Sequence, residues 1–208
     1  MSDTLDRLIE RVHACRLCAA HLPHGPRPVL RVSDTARLLI VGQAPGTKVH
    51  ESGIPWNDRS GDRLRQWLDL APETFYDGSR IAILPTGLCY PGTDAKGGDL
   101  PPRPECAPLW HPPLRALMPG IELTVLVGSY AQAHGLGGRR QASLTETVKA
   151  WRDYLPDILV LPHPSWRTQA WEKKNPWFAV ELLPEARRRI AALLMPWKPA
   201  GRPAIEGR

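Results

Sequence analysis

The stretch 38-LLIVGQAPGTKVHESGIPWNDRSGDRLRQWL-68 joins an apolar run to a helical pattern through a long loop. A short run of Leu, Ile and Val is typical of a strand buried on both faces. Apolar residues recur with helical spacing over 61–70, where Ser60 is placed to cap the helix and Asp62 falls in its first turn. A strand-to-helix connection usually takes a few residues. The longer loop over 42–60 therefore indicates a functional segment.

Three further apolar runs repeat this strand pattern, and helical patterns separate them. The predicted strands are 37–41, 80–84, 122–127 and 157–161. The predicted helices are 2–14, 61–70, 104–117, one that starts at 128–129, 143–154 with a capping box at Ser143 and Glu146, and 184–195. Alternating strands and helices predict an α/β fold, with three α/β/α layers around a central four-stranded parallel sheet.

The loops that follow the predicted strands are 42–60, 85–103, 128–129 and 162–176, and three of these four hold unusual residues. In parallel sheets, ligands bind beyond the carboxyl ends of the strands. We therefore expect an active site at that edge of the sheet.

The length of 208 residues suits one domain, predicted over 1–204. The final 205-IEGR-208 resembles a protease recognition sequence and is left out of the predicted domain. No apolar run approaches the length of a membrane span, and the charged N-terminus lacks the apolar region of a secretory signal. We expect a cytoplasmic protein with no membrane partner.

The net charge of +6 is confined to the last third of the chain. Residues 1–138 hold 14 Lys and Arg against 14 Asp and Glu, whereas residues 139–208 hold 13 against 7. The surplus is compatible with a solvated basic helix or with a surface that binds a polyanion such as DNA. Charge alone does not decide between the two.

Four cysteines, Cys15, Cys18, Cys89 and Cys106, include one C-x-x-C pair. Disulfides are rare in the cytoplasm, and C-x-x-C spacing lets two thiolates reach one metal centre. The four residues therefore predict a metal site, although four unrelated buried thiols are the alternative. Cysteine ligands alone do not distinguish zinc from an iron–sulfur cluster.

The segment 162-PHPSWRTQAWEKKNPWF-178 follows the last predicted strand and places His163 between two prolines, which limit where its ring can point. Trp166, Arg167, Lys173 and Lys174 come after it. Aromatic side chains interleaved with basic ones are typical of surfaces that bind nucleic acid. The alternative is that Trp166, Trp171 and Trp177 pack in the core, which we expect for at least one of them.

The motifs, taken in order, resemble the uracil-DNA glycosylase superfamily and, within it, the iron–sulfur branch. The resemblance spans nearly the whole chain. It rests on the C-x-x-C pair, 42-GQAPG-46, 53-GIPW-56, Cys89, Cys106, 127-VGSYA-131 and 162-PHPS-165.

The resemblance implies an enzyme that flips a damaged base out of DNA and cleaves its N-glycosidic bond. Gly42, Gln43 and Ala44 would hold the base and a catalytic water, and Trp56 would stack on the base. His163 would stabilise the departing base anion. Ser165, Trp166, Arg167, Lys173 and Lys174 would contact DNA. The four cysteines would bind a structural [4Fe-4S] cluster, with zinc the less favoured alternative.

The first motif departs from the pattern of many family members, which carry an acidic residue or Asn there to activate the water. The broad-specificity members of the iron–sulfur branch share an Ala at that place, as Ala44 does here. In those members an Asp in a segment similar to 56-WNDRSGD-62 takes over the role. We predict Asp58 as that residue, with Asn57 as its rival and capping of the following helix as the alternative role of Asp58.

A second departure concerns the choice of base. Strict uracil readers carry an Asn just past the second strand, where this chain has Pro85 followed by Thr86. Proline offers no side-chain hydrogen bond, and a site with fewer hydrogen bonds rejects analogues less strongly. We therefore expect Thr86 to contact the base and the substrates to include uracil, 5-substituted uracils and deaminated purines.

These observations predict a monofunctional glycosylase that leaves an abasic site, acting as a monomer on DNA. The loop over 90–105 has no His, so the covalent trapping known from another branch is not expected. The main alternative is a metal-stabilised module that binds damaged DNA without cleaving it. A nucleotide-binding domain with 42–46 as its phosphate loop is disfavoured, because neither G-x-G-x-x-G nor a G-K-[ST] ending is present.

Overall fold

The structure, a computed structural model, describes residues 4–95 and 97–195. Its centre is a sheet of four parallel strands, β1 (Leu38–Val41), β2 (Ile81–Ile83), β3 (Leu123–Val127) and β4 (Ile158–Leu161), in the order β2-β1-β3-β4. Leu38 pairs with Ile81 on one side and Leu123 on the other. Nearly every strand residue is buried. The predicted α/β fold with a parallel four-stranded sheet is confirmed.

Helices flank this sheet, as expected for strands that are apolar on both faces. In chain order they are α1 (Leu5–His13), α2 (Thr47–Ser52), α3 (Arg59–Leu68), α4 (Pro72–Phe75), α5 (Cys106–Ala116), α6 (Ser129–Leu136), α7 (Leu144–Lys149), α8 (Thr168–Lys174) and α9 (Leu183–Leu194). Short 3-10 turns occur at Ala19–His21, Gly137–Arg139 and Trp151–Tyr154, and a π-helical turn, Phe178–Leu182, leads into α9.

The helix after the long loop begins earlier than predicted and has a different cap. The Asp58 carboxylate accepts a hydrogen bond from the Gly61 amide at 2.8 Å and caps α3, so the assignment of Ser60 as the cap is wrong. Asp58 succeeds because its extended backbone precedes the first helical residue, whereas Ser60 already lies within the helix. The predicted cap at Ser143 is confirmed, since its hydroxyl accepts from the Glu146 backbone amide at 3.1 Å, while the Glu146 carboxylate accepts from the Ser143 hydroxyl at 3.2 Å.

Other predicted helix ends shift by a few residues or change type. The expected helix over 104–117 begins at Cys106, and the one over 143–154 ends at Lys149 before the Trp151–Tyr154 turn. Short helices that no sequence pattern indicated, α2 and α8, lie inside the predicted loops 42–60 and 162–176. Residues 196–204 of the predicted domain, and the sequence at 205–208 that resembles a protease recognition site, lie outside the described residues.

The two faces of the sheet are covered by different helices. Leu39 and Val41 of β1 point to the side of α5 and α6, where they line a cavity with His111 and His134. Helices α3 and α9 pack against each other, and α9 also contacts β1. Among the described residues, no helix has the length and apolar content that crossing a membrane requires.

Candidate functional site

A pocket of about 70 Å³ lies at the carboxyl edge of the sheet, where the loops after β1, β2 and β4 meet. It is lined by the whole first motif (Gly42, Gln43, Ala44, Pro45 and Gly46), by Val29, Val49, Pro55, Trp56, Asp58, Ser60, Ile83 and Pro85, and by Asp99 and His163. The expected convergence of loops from separate strands at one edge is therefore present.

Trp56 forms one wall of the pocket in an unusual backbone conformation. Its φ angle is 57°, which non-glycine residues rarely adopt. Two glycines make room for it, since a Cβ on Gly42 would lie 2.8 Å from the indole Cζ2 and one on Gly61 would lie 1.7 Å from the Trp56 carbonyl oxygen. Arg65 donates to the same carbonyl at 3.3 Å. The indole is thus held beside the first motif by contacts on both sides.

Asp58 lines the pocket while it caps α3. Its Oδ1 is occupied by the Gly61 amide, and the carboxylate lies at the helix N-terminus, where the dipole favours negative charge. The helix cap, which the sequence had offered as the alternative role of Asp58, is present, and the same residue also lines the pocket. Asn57, its predicted rival, is exposed and is not among the residues that line the pocket.

His163 lies opposite, directly after β4. Its ring centroid is 5.8 Å from that of Trp56, and a Cβ on Gly128 would lie 3.3 Å from the His163 Cβ. Its carbonyl accepts from the Ser165 amide at 2.8 Å and from the Thr168 hydroxyl at 2.5 Å, which fixes the backbone. Burial lowers the pKa of His163 against the opposing effect of the Asp58 carboxylate. The imidazole is therefore neutral at pH 7 and carries one N–H donor.

Pro85 lines the pocket, but Thr86 does not. The Thr86 side chain is buried, and its hydroxyl donates to the Gly42 carbonyl at 2.5 Å. Its amide donates to the same oxygen at 3.0 Å. In this structure Thr86 supports the first motif from behind instead of facing the cavity.

A second carboxylate in the pocket was missed by sequence reasoning. Asp99 lies on a hairpin, the Thr93–Asp99 hairpin, defined by an antiparallel bridge between those two residues. Its carboxylate oxygens lie 3.5 and 4.0 Å from the point that a Cβ on Gly46 would occupy. The side-chain amide of Gln43 donates to the Leu100 carbonyl at 3.4 Å, and this hydrogen bond joins the hairpin to the first motif. No spacing rule in the sequence indicates this fold-back.

The predicted DNA-contacting residues share one surface segment after His163. Trp166 is 74 % exposed, and the Arg167 guanidinium lies over its ring at 5.2 Å. Lys173 and Lys174 are exposed at the end of α8, whereas Ser165 is partly buried. Trp171 and Trp177 instead pack edge-on against the buried Phe178, so these two tryptophans are partly buried against the core.

Several basic residues of the last third serve the fold. Arg188 and Arg189 pair with Glu185, and Arg152 pairs with Glu181. Arg187 donates to the Trp67 carbonyl at 2.9 Å. The positive surplus is therefore not a single free face, and the segment from Trp166 to Lys174 is the part of it that adjoins the pocket.

The four cysteines come together from three separate segments. Cys15 and Cys18 follow α1, Cys89 follows β2 and Cys106 begins α5, and all four line one small cavity. The Leu88 amide donates to the Cys106 sulfur at 3.3 Å. Burial raises the pKa of Cys89 to about 11 and that of Cys106 to about 12. Four thiols around one cavity fit the ligand set of a metal centre, whose binding would displace their protons. Among the described residues no three His, Cys, Asp or Glu side chains are close enough to hold one metal ion together, so the four cysteines share the cavity without forming a compact single-ion site.

The family comparison covers this site. A family model described as the Uracil DNA glycosylase superfamily matches residues 31–187. The match runs from before β1 into α9 and includes the first motif, Asp58, Asp99 and His163, together with Cys89 and Cys106. This range is 157 of the 208 residues and holds all four strands of the sheet. The chain therefore belongs to the uracil-DNA glycosylase superfamily.

Proposed function

We propose that the protein is a monofunctional DNA glycosylase that hydrolyses the N-glycosidic bond of uracil in DNA and leaves an abasic site. The observation that carries the proposal is the meeting of Trp56, Asp58 and His163 around one pocket at the carboxyl edge of the sheet. An aromatic wall, a carboxylate and a neutral imidazole are the groups that this reaction needs. Membership of the superfamily supports DNA glycosylase chemistry in general.

Trp56 and the first motif form the proposed base-binding slot. A base turned out of the duplex loses its stacking in DNA, and an aromatic ring restores part of it. The Trp56 indole is fixed by its neighbours before any ligand binds. The backbone of the first motif can approach the base plane closely. Gly42 and Ala44 have no large side chain, and the Gln43 side chain is turned towards the Leu100 carbonyl.

His163 is proposed to donate its N–H to the departing base. Cleavage of the C1′–N bond leaves negative charge on the base oxygens. A fixed hydrogen-bond donor in an enclosed pocket stabilises that charge by on the order of 3 kcal/mol. A neutral imidazole suits this role, since it donates a hydrogen bond without first having to lose or gain a proton. The buried environment of His163 keeps it in that form.

Asp58 is proposed to act on the sugar side of the bond. Departure of the base builds positive charge on the sugar, as in other glycoside cleavages. A fixed carboxylate favours that charge and orients a water towards C1′. The hydrogen bond to Gly61 holds the Asp58 carboxylate in one orientation at the pocket wall.

Base selection is proposed to be broad. Pro85 offers only its backbone at the position where a strict uracil reader would place an amide, and the buried Thr86 hydroxyl is already bonded to Gly42. Fewer hydrogen bonds to the base edge give weaker rejection of analogues. We propose 5-substituted uracils and deaminated purines as further substrates.

Duplex contact is proposed for the segment that follows His163. The exposed Trp166 indole is placed to wedge the base stack, and Arg167, Lys173 and Lys174 to contact phosphates. Ser165 adjoins them at the start of the segment. The protein is proposed to act as a monomer.

Cys15, Cys18, Cys89 and Cys106 are proposed to hold a [4Fe-4S] cluster. When bound, the group would supply a covalent link between the chain after α1, the loop after β2 and the start of α5. The Thr93–Asp99 hairpin lies between Cys89 and Cys106, so both ends of its loop would be fixed. The catalytic groups proposed above do not depend on electron transfer.

The test is a cleavage assay with a uracil-bearing oligonucleotide followed by alkali, for the wild type, His163→Ala, Asp58→Asn and Asp58→Ala. Asn retains a side-chain oxygen for the Gly61 amide, so Asp58→Asn removes the charge and keeps a helix cap. We expect both Asp58 variants to lose at least about 100-fold in rate, and Asp58→Ala alone to lose about 1 kcal/mol of stability.

Binding to uracil-bearing DNA without cleavage by the wild type would favour the alternative, a non-catalytic damage-binding module. Full activity in Asp58→Asn would move the role to another group. Absorbance near 400 nm in the purified protein, about where Cys-ligated clusters absorb, distinguishes the cluster from zinc in the same preparation.

A further inference from the structure

Asp99 lines the pocket, but the reaction proposed for Trp56, Asp58 and His163 gives it no role. Asp58, Asp99 and His163 are the titratable side chains among the residues that line the pocket. The residue as a whole is exposed, but its carboxylate oxygens are turned to Gly46 at the end of the first motif. A loop carboxylate that served only solubility would point into solvent and not towards Gly46.

The hairpin that carries Asp99 is held in place by local contacts. The Asp94 amide donates to the Gly98 carbonyl at 2.7 Å, and the Gly98 amide donates to the Asp94 carboxylate at 2.9 Å. The Leu100 amide donates to the Gly92 carbonyl at 2.9 Å, and the Leu100 carbonyl accepts from Gln43. These bonds place Asp99 over the first motif.

Ala44 occupies the motif position where an acidic side chain is absent, and the side-chain amide of the neighbouring Gln43 donates to the Leu100 carbonyl, next to Asp99. The hydrogen bond between Gln43 and Leu100 brings the Asp99 carboxylate to the edge of the first motif, beside Gly46. The charge missing from the first motif is thus supplied by Asp99 as well as by Asp58.

We propose that Asp99 is the general base that accepts the proton of the attacking water, and that Asp58 serves as the fixed negative charge beside the sugar. This inference rests on the proposed glycosylase function. The water oxygen forms a bond to C1′ with its lone pair, and the electron pair of the C1′–N bond leaves with the base. One water proton passes to the Asp99 carboxylate and then to solvent, and the base anion takes up a proton from solvent.

The two carboxylates differ in the way that this division of roles requires. Asp58 accepts a backbone amide hydrogen bond at a helix N-terminus, so its carboxylate is already engaged and held in one orientation at the pocket wall. Partial burial raises the pKa of Asp99, and the neighbouring Asp58 carboxylate raises it further. A carboxylate with a raised pKa is the stronger proton acceptor near neutral pH.

The test measures single-turnover cleavage of a uracil-bearing oligonucleotide as a function of pH, from below the ordinary pKa of an aspartate side chain up to mildly alkaline pH, for the wild type, Asp99→Asn and Asp58→Asn. Because the base must be deprotonated, the wild-type rate should fall as pH falls through the pKa of Asp99. We expect Asp99→Asn to lose at least about 100-fold at pH 7 and to lose that acidic limb. Asp58→Asn should be slower but retain the limb.

Asp94→Asn is the matched control, since it removes a charge from the same hairpin, keeps an oxygen for the Gly98 amide and lies outside the pocket lining. Its rate should stay within about threefold of wild type. Added formate should restore part of the rate of Asp99→Ala, as a base replaces a missing carboxylate, but should not affect Asp94→Asn.

The inference is overturned if Asp99→Asn keeps a rate within about threefold of wild type. It is also overturned if the loss of rate is matched by an equal loss of affinity for DNA bearing an uncleavable uridine analogue, since Asp99 would then only shape the pocket. A wild type inactive on every base tested defeats the proposed function itself, whereas an active wild type with an unaffected Asp99→Asn defeats the assignment of Asp99 alone.

Discussion

At the scale of single residues, the pocket depends on a tryptophan in a strained backbone conformation. A residue with a positive φ such as Trp56 persists only when its surroundings hold it, and such strain is often found at functional sites. Because Gly42 has no Cβ, the Trp56 indole can pack against it, and because Gly61 has no Cβ, the Trp56 carbonyl can lie beside it. Arg65 donates a hydrogen bond to that carbonyl. The two glycines look unremarkable in the sequence, and their necessity follows only from the positions of the Trp56 atoms.

Gly61→Ala is expected to displace Trp56, because the added Cβ would lie 1.7 Å from the Trp56 carbonyl oxygen. Overpacking of this kind costs about 1–3 kcal/mol or more. We expect that loss in the free energy of urea unfolding, together with a fall in glycosylase activity. Gly138→Ala is the control, since nothing lies within 4 Å of its added Cβ. Equal stability of the two variants would contradict the packing that we describe.

Asp58 shows how far sequence reasoning reached at this scale. Its place in the pocket was predicted from the motif, but the cap of α3 was assigned to Ser60. Both residues are good caps by composition, and the choice depends on where the first helical turn closes. The structure places that point at Arg59, so Asp58, the extended residue before it, takes the cap.

At the scale of elements, the segment after β4 divides into an exposed part and a part that anchors it. Arg63 of α3 donates to the Ser165 carbonyl at 3.1 Å and pairs with Glu172 of α8 at 2.5 Å. Trp171 donates to the Thr145 hydroxyl at 2.8 Å. These contacts hold the segment beside the pocket and leave the Trp166 indole in solvent.

Trp166→Ala is expected to weaken DNA binding and slow cleavage by about tenfold or more, since a wedging or stacking aromatic contributes about 1–3 kcal/mol. Its melting temperature should stay close to that of the wild type because the side chain is 74 % exposed. Trp171→Ala is the contrasting variant and should lose about 3 kcal/mol of stability through its core packing. Unchanged cleavage by Trp166→Ala on duplex substrate would remove the wedge role.

At the scale of the whole molecule, the buried His111 and the exposed His134 link a cavity on one side of the sheet to the pocket at its carboxyl edge. His134 and His111 share a hydrogen bond of 3.0 Å, and the second ring nitrogen of His111 lies 3.1 Å from the Pro85 carbonyl. The pair therefore connects the cavity beneath α5 and α6 with the wall of the pocket. Burial lowers the pKa of His111 to about 4.

This buried imidazole predicts a dependence of stability on pH. Between pH 6.5 and about 4 the unfolded chain holds a proton on His111 that the folded protein does not. Stability therefore falls as pH falls through this window, by about 3 kcal/mol from this group. His111→Gln should show a smaller fall between pH 7 and 4 in urea unfolding than the wild type. The exposed His13→Gln serves as control, and a slope unchanged in His111→Gln would contradict the assignment.

The amino-acid sequence by itself determined the parallel α/β fold, the four strands within one or two residues, and the motif residues Trp56, Asp58 and His163 that share the pocket. Apolar runs and motif spacing are local properties, so they can be read along the chain. Only the folded chain showed that Asp99 joins the pocket and that Thr86 faces away from it. Each of these depends on contacts between segments far apart in sequence, as between Gln43 and Leu100, and no local periodicity records such contacts.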